Sequence, residues 1–148
     1  MRCNAGIPPR VLLDQHLIAE YRELMIPLGQ LRRMNFEFKT PIPDQMPLGK
    51  GHISFWRDKQ VYLRRRHEAL IAEMLDRGFQ PAMTFWPFYD VPDRLLNDWH
   101  PSDRESDMLK ERIIERYMNK PFWYKYQRKA ISPEVYLEML KNTPCGVY

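Results

Sequence analysis

Between Ser54 and Arg77 apolar side chains recur at helical spacing. Phe55, Trp56, Tyr62, Leu63, Leu70 and Met74 make one stripe, Arg64 and Arg65 point away, and Gly78 stands where a left-handed C′ residue ends a helix. No alternating strand pattern persists anywhere in the chain. The expected fold is therefore all-α: a single compact helical domain over 1–148, with long loops and an extended N-terminal arm.

Local signals place the other elements. Pro8 and Pro9 predict that residues 1–13 form the extended arm. Asp14 fits an N-cap for a first helix ending near Met25, just before Pro27, and Leu28 to Met34 predict a short second helix. Residues 39–51 and 80–101 are rich in proline and read as loops, with a possible turn at Asp93–Asn97. Ser102 caps a helix running to about Asn119, with Leu109, Ile113 and Tyr117 inward. Ser132-Pro133-Glu134 opens a final helix to about Lys141, so 132–148 reads as an additional C-terminal helix and tail.

Composition excludes several classes. With 44% hydrophobic and 28% charged residues, the chain is too apolar to be disordered and too charged to be a membrane protein. No secretory apolar region precedes Asp14, Glu20, Arg22 and Glu23, so a cytoplasmic location is expected. Cys3 and Cys145 form neither a CxxC pair nor a zinc ribbon; the alternatives are a disulfide tying the termini and two free thiols, and free thiols are expected. Glycine-rich phosphate loops, HExxH and GxSxG are all absent, and His16, His52, His67 and His100 are dispersed. Neither a metal nor a cofactor is expected.

Three features remain. In DQHLIAEYREL, residues 14–24, Leu17, Ile18, Tyr21 and Leu24, with the following Met25, take one half of the wheel. Gln15, His16, Glu20, Arg22 and Glu23 take the other, and Ala19 leaves a gap among them. That half reads as a solvated charged face or as the wall of a site, and periodicity alone favours the face. Arg112, Arg116 and Lys120 stack about 6 Å apart per step on one helical stripe. This suits phosphates and a solvated stripe equally, with Glu111 and Glu115 nearby. PFWYKYQRK, residues 121–129, sets Trp123, Tyr124 and Tyr126 beside Lys125, Arg128 and Lys129. In a chain of net charge +4 and 13% aromatics, that loop favours nucleic acid, with at least one aromatic plugging the core.

Together these stretches resemble the phage-type pyrimidine-dimer DNA glycosylases with associated lyase activity, the endonuclease V family of the T-even phages. The resemblance is densest at DQHLIAEYREL and LGKGHISFWRDKQVYLRRRHEALIAEMLDRGF, returns at FWYKYQRKAI, and is bridged by DVP and DWHP. It implies a helical enzyme that excises UV-induced pyrimidine dimers and then nicks the backbone. In that family the α-amine of the mature N-terminus attacks the sugar C1′, expels the base as an imine forms, and β-elimination follows. An α-amine ionises near about 7.7–8.0 and so keeps a reactive neutral fraction at neutral pH, unlike an ordinary lysine. By resemblance, Met1 carries the amine and Glu23 is the carboxylate that stabilises the cations. By the same resemblance Gln15, His16, Tyr21 and Arg22 match the polar wall around an extruded nucleotide, and Arg2 is a further DNA-binding residue. Arg112, Arg116 and Lys120 match the basic helix, and Trp123, Tyr124, Lys125 and Tyr126 the DNA-contacting loop. The expected partner is double-stranded DNA with damaged bases, met by a monomer away from any membrane.

The chain departs from the family at three places. Met1 stands where the family exposes threonine, and the bulk of Arg2 should block removal of the methionine. Met25-Ile26 replaces a Pro-Arg pair, losing one phosphate-binding cation for which Arg32 and Arg33 are candidate substitutes. Gln127-Arg128 replaces Tyr-Gly, and a final helix is added. The alternatives are a related glycosylase for another lesion or modified base, and a non-catalytic binder of distorted DNA.

Overall fold

A computed structural model describes residues 1–146 and 148. Among these residues six helices follow one another: α1 (Asp14–Glu23), α2 (Ile26–Arg33), α3 (His52–Phe55), α4 (Gln60–Asp76), α5 (Asp103–Asn119) and α6 (Pro133–Asn142). Short 3-10 turns occupy Pro9–Val11 and Asp93–Leu95. Among the described residues there are only isolated bridges, Lys59 with Leu96 and Tyr126 with Lys129, and no strands. The fold is all-α.

The apolar stripe predicted from residue 54 onward is buried throughout, but it lies on two helices rather than one. On a continuous helix Trp56 and Tyr62 would be about 120° apart. The break at residues 56–59 brings them into a stack with ring centroids 5.4 Å apart, and Trp99 meets Phe55, Trp56 and Tyr62 edge-on at 5.2–5.4 Å. This aromatic knot fixes the break. Lys59 Nζ donates to the Phe55 carbonyl, and Asn97 Nδ2 donates to that of Asp58. At the other end of α4, Gly78 has φ +78° and Phe79 N–H returns to the Met74 carbonyl at 2.8 Å, closing the helix as its glycine predicted. Arg65 turns back to Asp98 and the Trp99 carbonyl instead of pointing away.

α1 packs along α4, and here one expectation is corrected. Asp14 is the first helical residue and not the cap. Its carboxylate is buried, accepting from Arg77 Nη1 and from the backbone N–H groups of Gln127 and Arg128. α1 ends before Pro27 as expected, and Pro27 sits in the first turn of α2, where its missing N–H costs nothing. At α5 the expected cap is present: Glu105 accepts from the backbone N–H and hydroxyl of Ser102. Ser132 caps α6 by accepting from Val135 N–H.

The arm is likewise not extended. Residues 3–9 are buried, with a turn at Ala5-Gly6 leading into the 3-10 turn. Arg66 Nη1 donates to the Ile7 carbonyl, and Arg77 donates to those of Pro9, Arg10 and Leu12. The chain's far end joins it: Gly6 N–H donates to Tyr148 O, and Gly146 N–H to the Gly6 carbonyl. Cys3 and Cys145 are free thiols.

Candidate active site

The gap beside Ala19 is a cavity of about 420 Å³. Gln15, His16, Ile18, Ala19 and Arg22 of α1 form one wall, and Arg2, Trp123 and Tyr124 complete it. An α-helix supplies that wall because residues 15, 19 and 22 share one face, and the small Ala19 leaves room where a long side chain would fill it.

Glu20 departs from its expected place on that helix. Read by residue type it belongs to the polar half, yet its side chain is fully buried. It accepts from Arg66 Nε at 2.8 Å and Nη2 at 3.0 Å, and from Asn4 through both its backbone N–H (2.9 Å) and Nδ2 (2.7 Å). Every lone pair that needs a partner has one, so the buried charge is matched. Burial alone would lower the Arg66 pKa, but the Glu20 charge and hydrogen bonds outweigh it and hold that pKa up. The consequence is positional: Asn4, three residues from Met1, is locked onto α1.

From that anchor the first residues run back along α1 to Glu23. The Met1 amine lies 3.6 Å from Glu23 Oε2, and Arg2 Nη1 donates to Glu23 Oε1. The Met1 side chain packs against the core and is absent from the cavity lining, so its bulk leaves the cavity open. Glu23 thus stands between two cations. Arg112 and Arg116 of α5 line the cleft beside Met1 and Arg2. Arg116, Asn119 and Lys120 then line a depression of about 280 Å³ under Trp123 and Tyr124. The basic stripe therefore runs from the amine to the aromatic loop. Burial, followed by the charges of Arg112 and Arg2, lowers the Arg116 pKa.

His16 is buried, its ring 4.8 Å from Tyr124, and neither ring nitrogen finds a partner among the described residues. Burial, then the Arg116 and Arg2 charges, push its pKa down to about 4. The imidazole is neutral near pH 7, and both of its nitrogens lie beneath the cavity surface rather than on it.

Other expected residues serve the walls from behind. Gln15 Nε2 donates to the Trp123 carbonyl and its Oε1 accepts from Lys125 N–H, so both ends of the amide hold the loop. Tyr21 turns inward, stacks on His67, and exchanges hydrogen bonds with the Met83 backbone. Lys125 and Tyr126 do not line the cavity; the Tyr126 hydroxyl donates to the Arg10 carbonyl and its ring lies under Arg77. Arg22 is exposed at the rim. Of the two candidate substitutes for the lost cation, Arg32 is engaged with both oxygens of Asp90, while Arg33 is exposed.

Among the described residues no cluster of three His, Cys, Asp or Glu side chains could hold a metal ion, and no helix is long and apolar enough to cross a membrane. The model of the pyrimidine dimer DNA glycosylase family matches residues 4–87, more than half of the chain. The chain belongs to this family. It is a DNA-repair glycosylase, and its substrate is damaged DNA. The matched residues carry α1 to α4, and with them Glu20, Glu23 and Arg66. The basic stripe of α5 and the aromatic loop lie beyond them.

Arg66 and Arg77 are the functional supports that reading by residue type missed. Arg66 sits in the run Tyr62, Arg66, Leu70, Met74, each four apart. Glu20 sits among Leu13, Leu17 and Leu24 at spacings of three and four. A charge of each sign on two apolar stripes was the available signal.

Proposed function

We propose that the glycosylase removes pyrimidine dimers from double-stranded DNA as a monomer, with residues 1–148 as one catalytic domain, and then cleaves the strand by β-elimination. The Met1 α-amine is the nucleophile. The observation that carries this reading is the 3.6 Å separation of that amine from the Glu23 carboxylate, next to a cavity of nucleotide size.

The neutral amine attacks C1′ of the damaged nucleotide, and the C1′–N bond breaks with its electron pair leaving on the base. Loss of the amine proton and opening of the sugar ring give an imine between Met1 and C1′. Removal of a C2′ proton then expels the 3′ phosphate. Positive charge develops at C1′ and on the imine nitrogen, and a carboxylate at this range interacts with a unit charge by roughly 4–5 kcal/mol at an effective dielectric of about 20. Glu23 supplies that charge and is the base for the C2′ proton. Arg2 holds Glu23 in place from its other oxygen. His16, Arg22, Trp123 and Tyr124 receive the extruded nucleotide, and Arg112, Arg116 and Lys120 neutralise phosphates along α5.

Borohydride trapping tests the reading. A covalent adduct is expected on dimer-containing or abasic duplex, mapping to the N-terminal peptide, with intact-mass analysis showing Met1 retained as a free amine. Full trapping after N-terminal acetylation would rule out the amine.

A further inference from the structure

We propose that Phe122 is a wedge that enters the base stack of a damaged duplex and fills the space left when a nucleotide moves into the cavity beside Ala19. The proposal rests on the reading above and adds to it a residue that drives extrusion.

Phe122 is 93% exposed, more than any other large hydrophobic side chain among the described residues. Its setting is rigid. Trp123 N–H donates to the Lys120 carbonyl at 3.1 Å, closing a turn over Lys120–Trp123. Pro121 sits second in that turn, where its fixed φ favours the bend, and Phe122 sits third, at the tip. Behind the tip, Gln15 grips the Trp123 carbonyl and Lys125 N–H, and Lys125 O accepts from Asp14 N–H. An apolar ring held out on a braced turn loses little freedom when it inserts.

The surroundings supply what a wedge needs. The adjacent Trp123 lines both the nucleotide-sized cavity and the depression that contains Arg116 and Lys120. An apolar tip, cations for the flanking phosphates and a cavity for the displaced nucleotide therefore meet within one loop. Tyr89, 86% exposed on another loop, lacks that company: Arg32 lies over its ring but is tied to Asp90.

The test uses the full chain and a duplex in which 2-aminopurine stands opposite a tetrahydrofuran abasic analogue, a substrate the amine cannot cleave. Binding of the unmodified protein should raise the 2-aminopurine emission. Phe122→Leu should keep that rise to within about twofold, while Phe122→Ala should cut it by at least about fivefold. All three proteins should share one melting temperature. An Ala variant that matches the parent, or a parent that gives no rise, overturns the wedge. Trapping on a single-stranded abasic oligonucleotide needs no extrusion and separates the two readings. No trapping with a Phe122-dependent rise defeats the amine mechanism alone; trapping with a Phe122-independent rise defeats the wedge alone.

Discussion

Glu20 of α1 and Arg66 of α4 form a two-point ion pair with both side chains fully buried, and Asn4 hangs from its carboxylate side. The pair therefore fixes where the chain's first residues lie. Arg66→Ala would leave Glu20 charged, buried and short of two donors, a loss worth about 3–5 kcal/mol. Urea unfolding should show it as a fall in midpoint. At denaturant-free stability, limited proteolysis should cut the arm of the variant first. A change below about 1 kcal/mol would mean that the arm is held by its backbone contacts alone.

Glu23→Gln should separate binding from chemistry. Glu23 is partly exposed, so stability should change little. Binding to dimer-containing duplex should stay within about threefold, while borohydride trapping falls by about 10²–10³, the usual cost of removing one preorganised charge from a developing cation. Loss of binding instead would make Glu23 a structural partner of Arg2.

His16 gives the fold an acid-sensitive component. Its folded pKa is about 4, below the ordinary value of about 6.5, so between those values the unfolded chain binds a proton that the folded one refuses. Its contribution is complete above about pH 6.5 and is lost as pH falls towards 4, up to roughly 3 kcal/mol. His52 and His67, also lowered chiefly by burial, act with the same sign. Stability measured against pH should fall less steeply for His16→Phe than for the parent. Equal slopes would show that His16 does not titrate in this window.

Gln15→Ala removes two hydrogen bonds between α1 and the aromatic loop, each worth about 1 kcal/mol. Faster quenching of tryptophan emission by acrylamide is expected as Trp123 loosens, together with weaker duplex binding. An unchanged quenching curve would show that Asp14 holds the loop unaided.

The elements legible in the sequence were those with local causes. Ser102 and Ser132 cap as their residue types predict, and Gly78 ends α4 in the conformation that glycine permits. The gap at Ala19 was visible as a missing side chain among long ones. The break before Gln60 is not visible in the sequence, because it depends on Trp99, about forty residues further along the chain. The charge of Glu20 points to the outer face, although its spacing from Leu17 and Leu24 puts it on the inner one. Aspartate before a helix predicts a cap at Asp14, but its partners, Arg77 and Arg128, come from distant segments.

Asp14 and Gln15 tie the first turn of α1 to residues 123–128, so the two sides of the cavity are braced against each other. On the proposed reading there is then no lid to shut over an arriving nucleotide, and the compliance has to come from the DNA. Discrimination would lie in duplex mechanics: a lesion that has already weakened stacking and introduced a kink needs less work to deliver its nucleotide than an intact, stiff helix. Rates of excision compared across flanking sequences should follow the ease with which each step bends.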